Sequence, residues 1–238
     1  MQIAQLTTKI YADGAELNGI VEMAKNPIIK GFTTNPTLMR KAGISDYKKF
    51  ALEVLNAVPD RPISFEVFSD DFEEMYAQAM EIASWGNNVN IKVPVTNTLN
   101  EFSGALISRL SEQGVFVNVT ALMTLDQVNK VMDCLRGNAP AYISVFAGRI
   151  ADTGRDPMDI MSQSAKISRT RPDTEIIWAS PRELYNIFQA DQAGVQIITV
   201  ANELLNKLSL VGKDLDEYSL ETVKMFRNDA LKAGYSIG

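Results

Sequence analysis

At 238 residues, with 46% hydrophobic and 22% charged residues, the chain has the composition of a globular protein large enough for one sizeable core. A formal net charge of −6 leaves no basic footprint for nucleic acid, and the count of zero histidines removes every Ser-His or Cys-His nucleophile and every histidine-liganded zinc site. Proton transfer therefore falls to Asp, Glu, Lys, Tyr or water.

The single Cys134 excludes an intrachain disulfide and fits a cytoplasmic location. It falls in the helical pattern Val128, Val131, Met132 and Leu135, where a cysteine reads as a small core residue. The N-terminus has no cationic and apolar leader pattern, and no apolar run reaches spanning length, so no membrane is expected as a partner. Neither G-x-G-x-x-G nor G-x-x-x-x-G-K-[ST] occurs, so no nucleotide cofactor is expected, and no metal site is visible.

In chain order, strand-like runs occupy Lys9–Ala12, Ile29–Thr33, Ile63–Phe68, Val89–Val95, Val115–Thr120, Tyr142–Ala147, Glu175–Ala179 and Gln196–Val200. Helical patterns lie between them near Glu16–Lys25, Tyr47–Val58, Phe72–Ser84, Glu101–Gln113, Leu125–Arg136, Pro157–Thr170 and Arg182–Ala190, with another at Asn202–Leu208. Asp70, Asp71, Glu73 and Glu74 mark a helix start, where acids complement the dipole. Eight alternating units without a linker predict a single α/β domain over 1–238, a closed (β/α)8 TIM barrel. One helix is left over at the C-terminus, about 218–233.

The fourth run, Asn87 to Asn97, is the most informative. Val89, Ile91, Val93 and Val95 share one face, Asn90 and Lys92 the other, and Pro94 marks the strand's end. Burial disfavours an ammonium, and a neutral lysine can attack a carbonyl to form a Schiff base. A strand-end lysine snorkelling to solvent is the alternative.

Barrel strands alternate between lumen and helix layer. Ser64, Glu66 and Phe68 share one side of the third strand, Asn118 and Thr120 of the fifth, Ser144 of the sixth, Trp178 and Ser180 of the seventh. Asp13 closes the first strand; Thr33 and Asn35 close the second. These polar residues gather on the lumen parity near the C-terminal ends, where barrel active sites sit. Taken singly, Asn35, Thr120 or Ser180 could merely cap a helix, and Glu66 with Lys92 could be a structural ion pair. Arg149 and Arg182 follow the sixth and seventh strands, and Pro181 suits a first helical turn with free N–H groups. Two guanidinium groups, a serine and a helix N-terminus would clamp a phosphate; two surface arginines bonded to loop carbonyls are the alternative.

Gly31-Phe32-Thr33-Thr34-Asn35-Pro36-Thr37, Glu66, Asn90-Ile91-Lys92-Val93-Pro94, Asn118-Val119-Thr120, Ser144 to Arg149 and Ala179-Ser180-Pro181-Arg182 together resemble the transaldolases, from Asp13 to about Asn202. The resemblance implies a metal-free class I barrel aldolase acting on sugar phosphates, in a small subfamily that mixes transaldolases with fructose-6-phosphate aldolases. It makes Lys92 the Schiff-base lysine and Asp13 the acid/base, with Glu66 and Thr120 holding the catalytic water. It implies that Asn35, Asn118 and Ser144 bind the dihydroxyacetone moiety, that Arg149, Ser180 and Arg182 bind phosphate, and that Thr33 and Phe146 also belong to the substrate-binding set. Many relatives carry proline after the serine matching Ser144 and an aromatic at Pro181. In the aldolase branch Glu66 is typically Gln and Phe146 typically Tyr, so the resemblance favours transfer to an acceptor. Release of free dihydroxyacetone and a non-catalytic sugar-phosphate-binding barrel stay open as alternatives. Leu220, Val223, Met225, Phe226 and Leu231 make the last helix unusually apolar. Since the subfamily forms ring-like homo-oligomers in which such a helix reaches across, it is expected to pack on a neighbouring subunit.

Overall fold

Period-two apolar runs become strands because each buries one face against helices and the other inside a barrel. The computed structural model of the chain describes residues 3–237. The strands are β1 (Lys9–Asp13), β2 (Ile29–Thr33), β3 (Ile63–Glu66), β4 (Val89–Pro94), β5 (Val117–Leu122), β6 (Ala141–Val145), β7 (Thr174–Trp178) and β8 (Ile197–Ala201). They pair in sequence order, all parallel, and β8 closes onto β1: a (β/α)8 TIM barrel.

The helices are α1 (Leu17–Ala24), α2 (Pro36–Lys41), α3 (Tyr47–Ala57), α4 (Phe72–Ala83), α5 (Gly104–Glu112), α6 (Leu125–Cys134), α7 (Ala147–Asp152) and α8 (Met158–Ser168). After them come α9 (Asn186–Gln192), α10 (Asn202–Leu205) and the C-terminal α11 (Leu215–Ala233). The acidic start of α4 is as expected, since the Asp71 carboxylate accepts from the Glu73 and Glu74 N–H groups. Two short helices, α2 and α7, were not expected. For α2 the signal was present: Asn35 caps it by accepting from the Leu38 N–H, and Pro36 occupies its first turn.

Register sorts the strand side chains into layers. At the N-terminal end the lumen is plugged by Tyr11, Tyr142, Ile177 and Ile197, with Phe116 packed against them. The two phenols share a 2.7 Å hydrogen bond. Burial pushes both up, Tyr142 to about 12. Gly31 makes room for this plug, because a Cβ there would lie 2.5 Å from the Tyr11 ring. The middle layer is polar and buried, with Ser144 at its upper edge. Ser144 donates to Asn118 (2.7 Å), Asn118 to Ser64 (3.1 Å), and Ser64 to Asn90. The top layer, at the C-terminal ends of the strands, holds the charged residues.

The seventh strand corrects the expected parity. Ile177 pairs with Ser144 and joins the lumen plug, whereas Trp178 is buried in the core beneath the helices. The third strand also ends early, at Glu66, leaving Phe68 62% exposed. Cys134, expected in the core, is half-buried where α6 ends.

Among the described residues no helix is long and apolar enough to cross a membrane. None of α11's residues is buried, and Val223, Phe226 and Leu231 are each at least 60% exposed, so among the described residues nothing of its own barrel covers these apolar side chains.

Candidate active site

The top layer surrounds a cavity of about 510 Å³ at the C-terminal mouth of the barrel. Its wall includes Asp13, Thr33, Asn35, Glu66, Lys92, Thr120, Ser144, Phe146, Arg149 and Ser180. Ten of the twelve residues singled out in the sequence thus converge on one space. The other two lie just outside it. Asn118 is fully buried in the polar layer below, where it holds the Ser144 hydroxyl. Arg182 is bound through its Nε to Asp152 (2.8 Å) and through a second guanidinium nitrogen to the same carboxylate, and it donates to the Ser180 hydroxyl (2.9 Å).

Lys92 rises from β4, only 7% exposed. Its Nζ lies 3.0 Å from a Glu66 carboxylate oxygen and donates to the Thr34 carbonyl at 2.9 Å. Adjacent strands make this pairing, since Glu66 and Lys92 stand in register on β3 and β4. The lysine has no carboxylate beside it in sequence, yet it has one across the ladder. A buried ammonium requires such a partner, and the pair puts a base within reach of the amine.

Asp13 ends β1, and the Thr33 hydroxyl donates to it at 2.7 Å. Burial pushes the Asp13 carboxyl above the usual carboxylate range; the Lys92 charge and the Thr33 hydrogen bond pull the other way and do not cancel it. The Thr33 and Thr199 hydroxyls are also hydrogen-bonded. Thr199 was missed in the sequence, although it sits on the same parity as the lumen residue Ile197. The buried Thr120 hydroxyl has no partner among the described residues while it faces the cavity. A buried hydroxyl of this kind is satisfied by water or a ligand polar atom.

Two residues at the mouth take left-handed backbone, Ala121 (φ 68°) and Ser180 (φ 60°). For a residue with a side chain this costs about 1–2 kcal/mol and persists where surrounding contacts fix it. At Ser180 the twist brings the serine to the cavity although the strand parity points elsewhere. Gly148 permits it: a Cβ on Gly148 would fall 1.5 Å from the Ser180 carbonyl oxygen.

The expected helix start at Pro181 is absent, because α9 begins at Asn186. The Asn186 side chain accepts from the Arg182 and Glu183 N–H groups, so these donors are not free for an anion. Arg149, on α7, is exposed at the cavity wall with its guanidinium 5.6 Å from the Phe146 ring; no carboxylate or carbonyl holds it among the described residues.

The family model described as transaldolase/fructose-6-phosphate aldolase matches residues 10–237. The chain belongs to this family. A protein named "Probable transaldolase" from Dehalococcoides mccartyi (strain ATCC BAA-2266 / KCTC 15142 / 195) is 35% identical over 84% of this chain and 89% of its own. Another of that name, from Thermoanaerobacter sp. (strain X514), is 34% identical over 96% of this chain and 100% of its own. A crystal structure from Burkholderia cenocepacia J2315, whose name suggests a phosphonomutase, superposes with TM-score 0.57 at 10% identity, covering 95% of this chain and 96% of that one. At that identity the likeness shows the fold alone.

Proposed function

We propose that the protein is a transaldolase, which moves a dihydroxyacetone unit from a ketose phosphate to an aldose phosphate through a Schiff base on Lys92. The observation that carries the reading is the buried Lys92 amine in a polar cavity, with Glu66 3.0 Å away and the unpaired Thr120 hydroxyl on the same wall. Family membership supports the aldolase chemistry.

The Lys92 nitrogen adds to the ketose carbonyl, and loss of water gives an iminium. Glu66 and Thr120 hold the water that leaves and later returns. Asp13 removes the proton from the C4 hydroxyl, the C3–C4 bond breaks, and its electron pair moves to the iminium nitrogen as an enamine. Because burial raises the Asp13 carboxyl, it is a stronger proton acceptor than an exposed carboxylate. The cleaved aldose phosphate departs, the acceptor aldehyde takes the enamine carbon's electron pair, and Asp13 returns the proton to the new alkoxide. Hydrolysis of the iminium frees the product. Thr33, Asn35 and Ser144 line the region beside Lys92 and would bind the dihydroxyacetone hydroxyls, with Asn118 fixing Ser144 from below. Arg149 and Ser180, with Arg182 behind them, would hold the phosphate.

Phe146 decides between transfer and simple release. It offers the enamine no phenolic proton, so the intermediate persists until an acceptor arrives. The test is dihydroxyacetone formed from fructose 6-phosphate with and without erythrose 4-phosphate, in wild type and Phe146→Tyr. Transfer predicts little release without acceptor in the wild type and more in the variant. Equal release with and without acceptor in the wild type would make the protein an aldolase, and no turnover at all would leave a binding barrel.

A further inference from the structure

The mouth of the barrel is open between β2 and β3, and the way it is held open involves a residue outside the cavity. In a parallel pair the rungs recur at every second residue. Here the Phe32 N–H donates to the Pro62 carbonyl (2.9 Å) and the Thr34 N–H to the Ser64 carbonyl (3.2 Å). The next rung would run from the Glu66 N–H to the Thr34 carbonyl. It is not formed, because the strands part after the Thr33–Ser64 pair. Both of its groups are used elsewhere. The Thr34 carbonyl accepts from Lys92 Nζ at 2.9 Å, and the Glu66 N–H donates to the Tyr47 hydroxyl at 2.8 Å. The same hydroxyl donates to the Glu66 carbonyl, also at 2.8 Å.

A phenol hydroxyl carries one donor and an acceptor oxygen, so it can serve the N–H and C=O of one residue at once, as a neighbouring strand would. Tyr47 is the first residue of α3, behind its Asp46 cap. Its ring packs against Phe65, Phe68 and Trp85, with centroids 5.5–6.3 Å away, so the hydroxyl sits at a fixed point. Burial pushes the phenol up, which keeps its proton in place for donation. A phenylalanine would fill the aromatic cluster equally well; among the described residues the hydroxyl serves only the Glu66 peptide.

We propose that Tyr47 is a positioning residue for the active site: its hydroxyl stands in for the missing β2 peptide, holding Glu66 at its distance from Lys92 and leaving the Thr34 carbonyl to the lysine. Without the hydroxyl, the Glu66 N–H turns to the Thr34 carbonyl, the β2–β3 ladder closes by one rung, and both partners of Lys92 move. The inference rests on the Schiff-base reading above.

The test uses the full chain with Tyr47→Phe, Glu66→Gln, the double variant, and Trp85→Leu as a packing control, assayed for transfer from fructose 6-phosphate to erythrose 4-phosphate. Tyr47→Phe is expected to lower kcat by about 10-fold or more, with KM within about twofold, because geometry at the reacting groups changes and substrate contacts do not. The double variant is expected within about twofold of the worse single variant, since a residue acting through Glu66 has little left to position once the carboxylate is gone. Trp85→Leu, which loosens the same cluster but keeps the hydroxyl, should melt at a lower temperature with a kcat loss clearly smaller than that of Tyr47→Phe. Wild-type kcat in Tyr47→Phe, losses that multiply in the double variant, or a Trp85→Leu kcat loss as large as that of Tyr47→Phe would each overturn the proposal. So would a Tyr47→Phe chain that does not fold. A wild-type protein that neither turns over nor forms a trapped lysine adduct would instead refute the Schiff-base reading, an outcome read before any variant is compared.

Discussion

Replacing Gly148 by Ala puts one methyl group into a space already filled by backbone. The new Cβ would lie 1.5 Å from the Ser180 carbonyl oxygen and 2.7 Å from its carbon. The Ser180 peptide would have to retreat by roughly 2 Å to reach ordinary van der Waals separation. It has little freedom to do so. Ser180 is already left-handed, and Ala179 beside it donates to the Val145 carbonyl at 2.9 Å. Overpacking of this kind costs about 1–3 kcal/mol. In a domain of this size each kcal/mol lowers Tm by roughly 2–4 °C, so a loss of about 2 kcal/mol gives a drop of roughly 4–8 °C. The strain falls between Arg149, next in the chain, and Ser180, the two residues proposed to hold phosphate. Misplacement by about 1 Å can cost on the order of 10²-fold at such a site. KM for fructose 6-phosphate should therefore rise by about 10- to 100-fold, while borohydride trapping of unphosphorylated dihydroxyacetone on the enzyme stays near wild type. Calorimetry and steady-state kinetics together read the result. A variant with wild-type Tm and wild-type KM would show that the Ser180 peptide yields to the methyl group without cost and that Gly148 does not set the phosphate residues.

Other expectations follow from single observations. Arg149→Ala removes a guanidinium at the cavity that no carboxylate or carbonyl holds among the described residues and should weaken phosphorylated donors by about 1.5–3 kcal/mol, roughly 10- to 100-fold, with dihydroxyacetone trapping spared; equal losses for both would assign Arg149 to the fold. Asp13→Asn should abolish carbon–carbon cleavage and change the pH dependence of stability. The folded carboxyl titrates above its unfolded value, so its favourable contribution is complete below roughly pH 4 and is lost as pH rises through the raised folded value. Relative to the Asn variant, the wild type should thus be less stable at pH 8 than at pH 4, and parallel melting curves would count against the raised carboxyl. A chain ending at Lys213 lacks α11, whose apolar residues are uncovered in one copy. Light scattering should find a smaller assembly, and an unchanged one would rule out a role for this helix between subunits.

The barrel was legible because its signal is local: each strand carries a period-two pattern bounded by turn residues, and eight of them alternate with helices. The site was legible where parity held. Lys92, Glu66, Thr120 and Ser144 lie on the interior face that counting along each strand assigns them. Ser180 shows where counting fails, since its place depends on a left-handed backbone and on Gly148, which sits in a different segment. The helix start at Asn186 was hidden by Pro181, a residue equally at home in a loop. Pairings between strands and across loops are set by register and leave no trace in sequence spacing. The Glu66–Lys92 pair was open only as an alternative, and the Arg182–Asp152 pair and the Tyr47 hydroxyl on Glu66 were not anticipated.

On the proposed mechanism Lys92 becomes covalently joined to the ketose during turnover. Incubation with fructose 6-phosphate and borohydride, followed by peptide mass spectrometry, tests it most directly. One reduced three-carbon or six-carbon adduct is expected, located on Lys92, with inactivation in step with its formation and no adduct in Lys92→Ala. An adduct on Lys30 or Lys130, or full turnover by Lys92→Ala, would contradict it.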